Sequence, residues 1–129
     1  MTKAICSAPV SILSGQQFQV QQSELTGITV DTGYAGRFFA YNNPGVGSAW
    51  DITIGANVNT FSIMGNYLHG GTITITAGTS DNYSIVGNTR ATIVDGGTGT
   101  SKEVQSTLNE AYGSSWNGAL SPPSKDVVY

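Results

Sequence analysis

The chain has 129 residues, of which 10% are charged, and its formal net charge is −3. This length suits one domain, and the longest apolar run is only a few residues, so we expect no membrane insertion. Five lysines and arginines in total give no basic footprint, which argues against a nucleic-acid partner. One cysteine and one histidine predict neither an internal disulfide nor a usual zinc site, and we expect no metal and no cofactor.

The N-terminal region, residues 1–50, alternates apolar and polar side chains in two places, at 17–21 and 28–31. This pattern predicts strands that bury one face. We expect this region to form an irregular, β-rich N-terminal cap or attachment region.

The central region, residues 51–101, contains an internal repeat. The segment FSIMGN at 61–66 recurs as YSIVGN at 83–88, and Thr-Ile pairs lie between the copies and after them. A period in the low twenties, made of short strands separated by Gly and Asn, predicts a solenoid in which each repeat is one coil. The repeated positions are Phe61, Ile63, Gly65 and Asn66 in the first copy and Tyr83, Ile85, Gly87 and Asn88 in the second.

A weaker third copy of the repeat precedes these two. Phe39 comes before Phe61 by the same interval that separates Phe61 from Tyr83. We therefore predict that Phe39 belongs to an earlier coil and lies in the core.

A parallel β-helix makes specific predictions for the repeated positions. Coils that stack about 4.8 Å apart would place Ile63 over Ile85. The chain would bend at Gly65, because glycine enters the left-handed region cheaply. Asn66 over Asn88 would form a ladder of side-chain amides. The alternative is a β-sandwich in which two hairpins happen to look alike.

The last region, residues 102–129, begins with the only stretch of helical character. Val104, Leu108 and Ala111 recur at helical spacing, so we predict one short helix or helical turn between Lys102 and Ala111. The Ser/Gly/Pro-rich tail that follows has little means to fold alone. We expect it to be extended and to pack against a neighbouring subunit or another protein.

Several segments resemble parts of bacteriophage tailspike and tail-fibre proteins. Residues 59–66 and 81–88 are similar to the coils of their right-handed parallel β-helices, and residues 95–102 are similar to the turn that closes a last coil. The tail segment YGSSWNGAL at 112–120, followed by Pro122, Lys125, Val128 and Tyr129, resembles a recurring segment of the same proteins. Together these matches cover about residues 51–129.

The resemblance implies an all-β fold, namely a short right-handed parallel β-helix assembled as a homotrimer. It implies a structural protein of a tailed-phage virion, assembled in the host cytoplasm and located in a tail fibre, tailspike or related appendage. The expected role is attachment to the host surface or assembly. The expected partners are other copies of the chain, other virion proteins and a host surface glycan.

An enzyme that depolymerises surface glycan is the first alternative. Glycosidic hydrolysis needs two carboxylates about 5 to 10 Å apart. Asp31 and Asp51 lie nearly one repeat apart in the sequence and could stack on neighbouring coils. They are the weak candidates for a catalytic pair, and we expect a protein that is not an enzyme.

A free-standing lectin or adhesin is the second alternative, because aromatic side chains bind sugar rings and also anchor protein interfaces. The aromatic candidates for binding or interface roles lie near glycine turns: Tyr34, Tyr41, Tyr67 and Trp116. His69 precedes two glycines at an expected corner, and we interpret it as a solvated loop histidine.

Overall fold

The computed structural model describes residue 5, residues 8–78 and residues 80–105. Every regular element in these residues is a β-strand, as β-branched and aromatic residues punctuated by Gly and Asn favour. The strands are β1 (Val10–Ile12), β2 (Gln17–Gln21), β3 (Gly27–Val30), β4 (Arg37–Tyr41), β5 (Asp51–Ile54), β6 (Thr60–Met64), β7 (Thr72–Gly78), β8 (Tyr83–Val86), β9 (Thr92–Gly97) and β10 (Lys102–Val104).

The strands form two five-stranded sheets. The first sheet has the order β1-β3-β5-β7-β9, and the second has the order β10-β8-β6-β4-β2. Successive strands therefore alternate between the sheets, and every pairing within a sheet is parallel. This topology is a β-solenoid of about five turns and confirms the expected parallel fold. The β-sandwich of hairpins is wrong, because hairpins would require antiparallel pairs.

The two clear copies of the repeat are adjacent turns in register. Phe61 pairs with Tyr83, and Ile63 pairs with Ile85. The rings of Phe61 and Tyr83 lie 4.5 Å apart with planes only 12° from parallel. The predicted superposition of the two copies, with Ile63 stacked on Ile85, is therefore confirmed.

The predicted third copy is wrong by one position. Phe38, not Phe39, pairs with Phe61, so this turn has one residue more than the turn that follows it. Phe38 is fully buried, whereas Phe39 points outward and is half-buried. Adjacent residues of a strand face opposite sides, so the difference of one position moves Phe39 out of the core.

The corners after β4, β6 and β8 in the second sheet share one conformation. Gly65 and Gly87 have φ of 71°, and Asn42 occupies the same place in its own turn with φ of 54°. The next residue at each of these three corners is a buried asparagine: Asn43, Asn66 and Asn88. The Asn66 Nδ2 donates to the Asn88 Oδ1 at 2.9 Å, and the Asn43 Nδ2 donates to the Asn66 Oδ1 at 2.8 Å. The predicted amide ladder is confirmed and has one more member than expected.

Residues 1–50 do not form a separate cap in the part that the structure describes. Strands β1 to β4 pair in the same two sheets as the later strands, so the coils begin well before residue 51.

The helix predicted from Lys102 is wrong at its start, because Lys102–Val104 is strand β10. Pairing with β8 overrides the helical spacing there. The rest of the predicted helix and the tail lie outside the described residues.

The core consists of columns of apolar side chains that run through the stack. One column contains Ile12, Val30, Ile54 and Ile75, all at most 4% exposed. Its last described position is Asp95, which pairs with Ile75. In a neighbouring column, Lys102 pairs with Tyr83. The final described turn therefore replaces two core positions by charged residues.

The described part of the chain contains no helix with the length and hydrophobicity that a membrane span requires.

Candidate functional site

The two acidic candidates are not brought together. Asp51 begins β5 and pairs with Gly27, whereas Asp31 follows the other end of β3. The two residues are therefore offset by four positions, about 13 Å along the strands. This exceeds the separation that glycosidic hydrolysis uses. Asp51 has a local role instead, because its Oδ1 accepts a hydrogen bond from the Thr72 backbone N at 2.8 Å.

The aromatic candidates have different surroundings. Tyr34 is only 3% exposed, and its hydroxyl donates to the Arg37 carbonyl at 3.3 Å, so its assignment to a binding surface is wrong. Tyr67 is 40% exposed and packs against the His69 ring at 4.3 Å. The His69 Nε2 lies 2.8 Å from the Pro44 carbonyl oxygen, so a hydrogen bond to the backbone holds this histidine at its corner. Trp116 lies outside the described residues.

Tyr41 belongs to an outward row on β4 that also contains Arg37 and Phe39. Alternation places these three side chains on the outer face of the second sheet. The rings of Phe39 and Tyr41 have centroids 5.8 Å apart and planes 20° from parallel. Both rings are half-buried, and Arg37 is exposed. We call Arg37, Phe39 and Tyr41 the β4 row.

The strands beside the β4 row add uncharged, partly apolar side chains to the same face. On one side the neighbours of Phe39 and Tyr41 are Gln19 and Gln21, and the Gln19 Nε2 donates to the Gln21 Oε1 at 2.8 Å. On the other side the neighbours are Ser62 and Met64. Met64 is 39% exposed. The face thus combines two aromatic rings with amide and hydroxyl groups, which is the chemistry that binds polyols and small polar ligands.

Each end of the β4 row meets a surface cavity. A cavity of about 480 Å³ at the Arg37 end is lined by Gly15, Gln16, Gln17, Ala35, Gly36 and Arg37. A second cavity of about 430 Å³ lies at the Tyr41 end. Its lining residues are Gln22, Glu24, Asn42 and Pro44. The row therefore forms a strip of about 13 Å between two concave regions.

Arg37 and Phe39 were not predicted from the sequence to belong to this face. The interval between the two clear copies of the repeat aligns Phe39 with Phe61 and so directs it inward. The signal that could have placed Phe39 correctly is the asparagine ladder: aligning Asn43 with Asn66 gives a turn of 23 residues. That alignment sends Phe38 inward and Phe39 outward.

A separate polar cluster lies at the last described turn. The Tyr83 hydroxyl donates to the Asp95 Oδ1 at 2.6 Å, and the Lys102 Nζ donates to the Asp95 Oδ2 at 2.9 Å. Burial, with the hydrogen bond to Asp95, raises the pKa of Tyr83 to about 12. Burial alone would raise the pKa of Asp95, but hydrogen bonds from Tyr83, Lys102 and the Gly97 backbone outweigh it and hold this pKa below its ordinary value. The hydrogen bond to Asp95 raises the pKa of Lys102.

This cluster occupies the end of the last described turn. Its three side chains satisfy one another, and the Lys102 Nζ also donates to the Gly97 carbonyl at 2.7 Å. Among the residues that the structure describes, no group of three or more His, Cys, Asp and Glu side chains is arranged to hold a metal ion. No protein-family model, curated protein or solved structure shows a significant match to the chain.

Proposed function

We propose that this chain is a structural module of a tailed-phage virion, part of a tail fibre, tailspike or related appendage that serves host attachment or assembly. The observation that carries the proposal is the register of the two coil motifs. Residues 59–66 and 81–88, which resemble tailspike coils, belong to adjacent turns in which Phe61 lies against Tyr83. The residues that carry the resemblance are therefore also residues that pack one turn against the next.

The proposal includes assembly as a homotrimer and contact with other virion proteins. The last described turn still exposes 36% of Val104, and 51% of Val94 on its outer side. Terminal turns of a solenoid need caps or partners, because each turn depends on its neighbours for burial. We place the subunit contacts at this end and in the tail that follows it. Light scattering on the purified chain should give three times the chain mass, and a monodisperse monomer would contradict the trimer.

The proposed role is attachment without catalysis by the described residues. The acidic pair on which a depolymerase would depend, Asp31 and Asp51, is separated along the strands by about 13 Å. Assays for new reducing ends on a panel of capsular and lipopolysaccharide glycans test this point. We expect no product, and release of reducing ends by the purified chain would overturn it.

A free-standing lectin is the second candidate, and the specific observation that favours it is the β4 row with its two near-parallel rings. Particle labelling distinguishes the candidates. Phage particles are collected from a culture of cells in which the gene for this chain is expressed, and they are labelled with a gold-conjugated antibody against the purified chain. The gold should mark the tail. Labelling of the cell surface without labelling of any particle would favour the lectin and contradict the virion role.

A further inference from the structure

We infer that the β4 row binds an acidic oligosaccharide, with Arg37 holding a sugar carboxylate while Phe39 and Tyr41 contact the sugar rings. The inference rests on the proposed attachment role, and it names the class of ligand that this role would use. Charge, spacing and exposure of the described residues support it.

The charge of the outer face points to an anionic ligand. The outward positions of β2, β4, β6 and β8 hold one cation, Arg37, and no acidic residue. The whole chain has a net charge of −3. The outward acid of this sheet is Glu103 on β10, three strands away from Arg37 on β4, so the face around the β4 row carries a cation without a nearby acid. Within the part of the chain that the structure describes, the one ion pair joins Lys102 to Asp95. The Arg37 guanidinium therefore has no carboxylate partner within that part of the chain, and its planar fork suits a carboxylate from a ligand.

The spacing of the β4 row suits a chain of sugar rings. Arg37, Phe39 and Tyr41 alternate along the strand at intervals of about 7 Å, so the row is about 13 Å long. The Phe39 and Tyr41 ring centroids themselves lie 5.8 Å apart, a separation close to the repeat of pyranose units in a glycan chain. A trisaccharide laid along β4 would therefore place one acidic unit at Arg37 and its neighbours at the two aromatic rings. The amide side chains of Gln19 and Gln21 on the adjacent strand would contact the sugar hydroxyls.

The two cavities set the direction of the ligand. The Arg37 end opens into the cavity of about 480 Å³, and the described residues of its lining include no acidic side chain. The cavity at the Tyr41 end contains Glu24, and this carboxylate would repel an anionic group. The acidic sugar therefore belongs at the Arg37 end.

A glycan array that contains uronate- and sialate-bearing oligosaccharides, phosphorylated oligosaccharides and neutral ones tests the inference with the full chain. We expect the strongest signals from carboxylate-bearing oligosaccharides. Calorimetric titration then compares the best of these ligands with its carboxyl-reduced form, which is neutral but otherwise the same sugar. The reduced ligand should bind at least tenfold more weakly.

Substitutions assign the roles within the row. Arg37→Gln should weaken binding of the acidic ligand at least tenfold and change binding of the reduced ligand less than twofold. Tyr41→Ala should weaken binding of both ligands at least fivefold. The matched control is Arg90→Gln, an exposed cation outside the β4 row. It should bind the acidic ligand within twofold of the unmodified chain.

Several results would overturn the inference. These are an array without a binder, strongest binding to neutral or phosphorylated oligosaccharides, or equal effects of Arg37→Gln and Arg90→Gln. Sedimentation velocity supplies one more test: a Tyr41→Ala chain that loses an oligomer formed by the unmodified chain would show that a second copy covers the row. Unfolding by urea confirms that each variant is folded. Particle labelling tests the virion role separately, so the two proposals fail independently.

Discussion

The side-chain oxygen of Asn66 accepts two hydrogen bonds from Asn43, one from its backbone N at 3.0 Å and one from its Nδ2 at 2.8 Å. Asn66 makes the same pair of bonds to the Asn88 Oδ1. Each asparagine also donates its amide to a backbone carbonyl of the preceding turn, as Asn66 does to Ala40 at 3.0 Å. The ladder thus satisfies backbone groups that the corner would otherwise bury unpaired.

Replacement of the central asparagine tests the ladder. Asn66→Ala removes the acceptor of both Asn43 donors in a fully buried site. An unsatisfied buried polar group costs about 1–3 kcal/mol, so we expect a loss of about 3 kcal/mol in the free energy of unfolding, measured in urea. The control Asn59→Ala lies at an exposed position and should change stability by less than about 0.5 kcal/mol. Equal losses in the two variants would contradict the role of the ladder.

Two adjacent phenylalanines test the register of β4. Phe38→Ala empties a fully buried position that pairs with Phe61 on the next turn and should cost about 3–5 kcal/mol. Phe39→Ala removes an outward, half-buried ring and should cost about 1 kcal/mol, since less apolar area returns to water. Thermal unfolding of both variants gives the comparison. The reverse order of stabilities would mean that β4 is shifted by one position.

The corner glycines test the backbone conformation of the coil. Gly87 has φ of 71°, and an added Cβ would meet only the Gly65 backbone N, at 3.9 Å. Gly87→Ala should therefore cost about 1–2 kcal/mol through backbone preference alone. Gly87→Asn should cost about 1 kcal/mol less than the alanine variant, because Asn tolerates this region and Asn42 already adopts it with φ of 54°. Urea midpoints measure the difference, and identical midpoints would rule out a left-handed corner.

Acid stability tests the Asp95 cluster. The pKa of Asp95 is lower in the folded chain than its ordinary value, so folding favours the carboxylate. This stabilisation is present above the ordinary pKa of about 4 and is lost as pH falls through the lower pKa of the folded state. Asp95→Asn should be less stable than the unmodified chain at about pH 6, and the difference should shrink steadily between about pH 4 and about pH 2. A stability difference between the two proteins that stays constant over this pH range would show that ionisation of the Asp95 carboxylate does not contribute to stability.

The same cluster predicts an alkaline transition. The pKa of Tyr83 is raised to about 12 in the folded chain, whereas an unfolded tyrosine ionises near about pH 10. Its contribution to stability is therefore present below about pH 10 and is lost as pH rises toward about 12. The raised pKa of Lys102 acts in the same direction. Tyr83→Phe should lose less stability between about pH 9.5 and about pH 11 than the unmodified chain, as unfolding in urea at each pH would measure. Equal losses in the two proteins would exclude Tyr83 as the titrating group.

Much of this fold could be read from the sequence alone. The segments at 61–66 and 83–88 match position for position, and matching positions of a solenoid superpose, so the parallel fold, the pairing of Ile63 with Ile85 and the contact of Asn66 with Asn88 followed directly. The physical reason is that strand alternation and a glycine corner are local properties that the sequence displays.

Only the tertiary structure decided how the remaining turns align. Gln17 pairs with Arg37, Arg37 pairs with Thr60, and Gly27 pairs with Asp51, and the interval in the sequence differs in each case. Corners absorb added residues without breaking the ladders of hydrogen bonds, so no constant period describes the chain. Because a shift of one position reverses which side chains face outward, the sequence left the β4 row and the separation of the two aspartates undetermined.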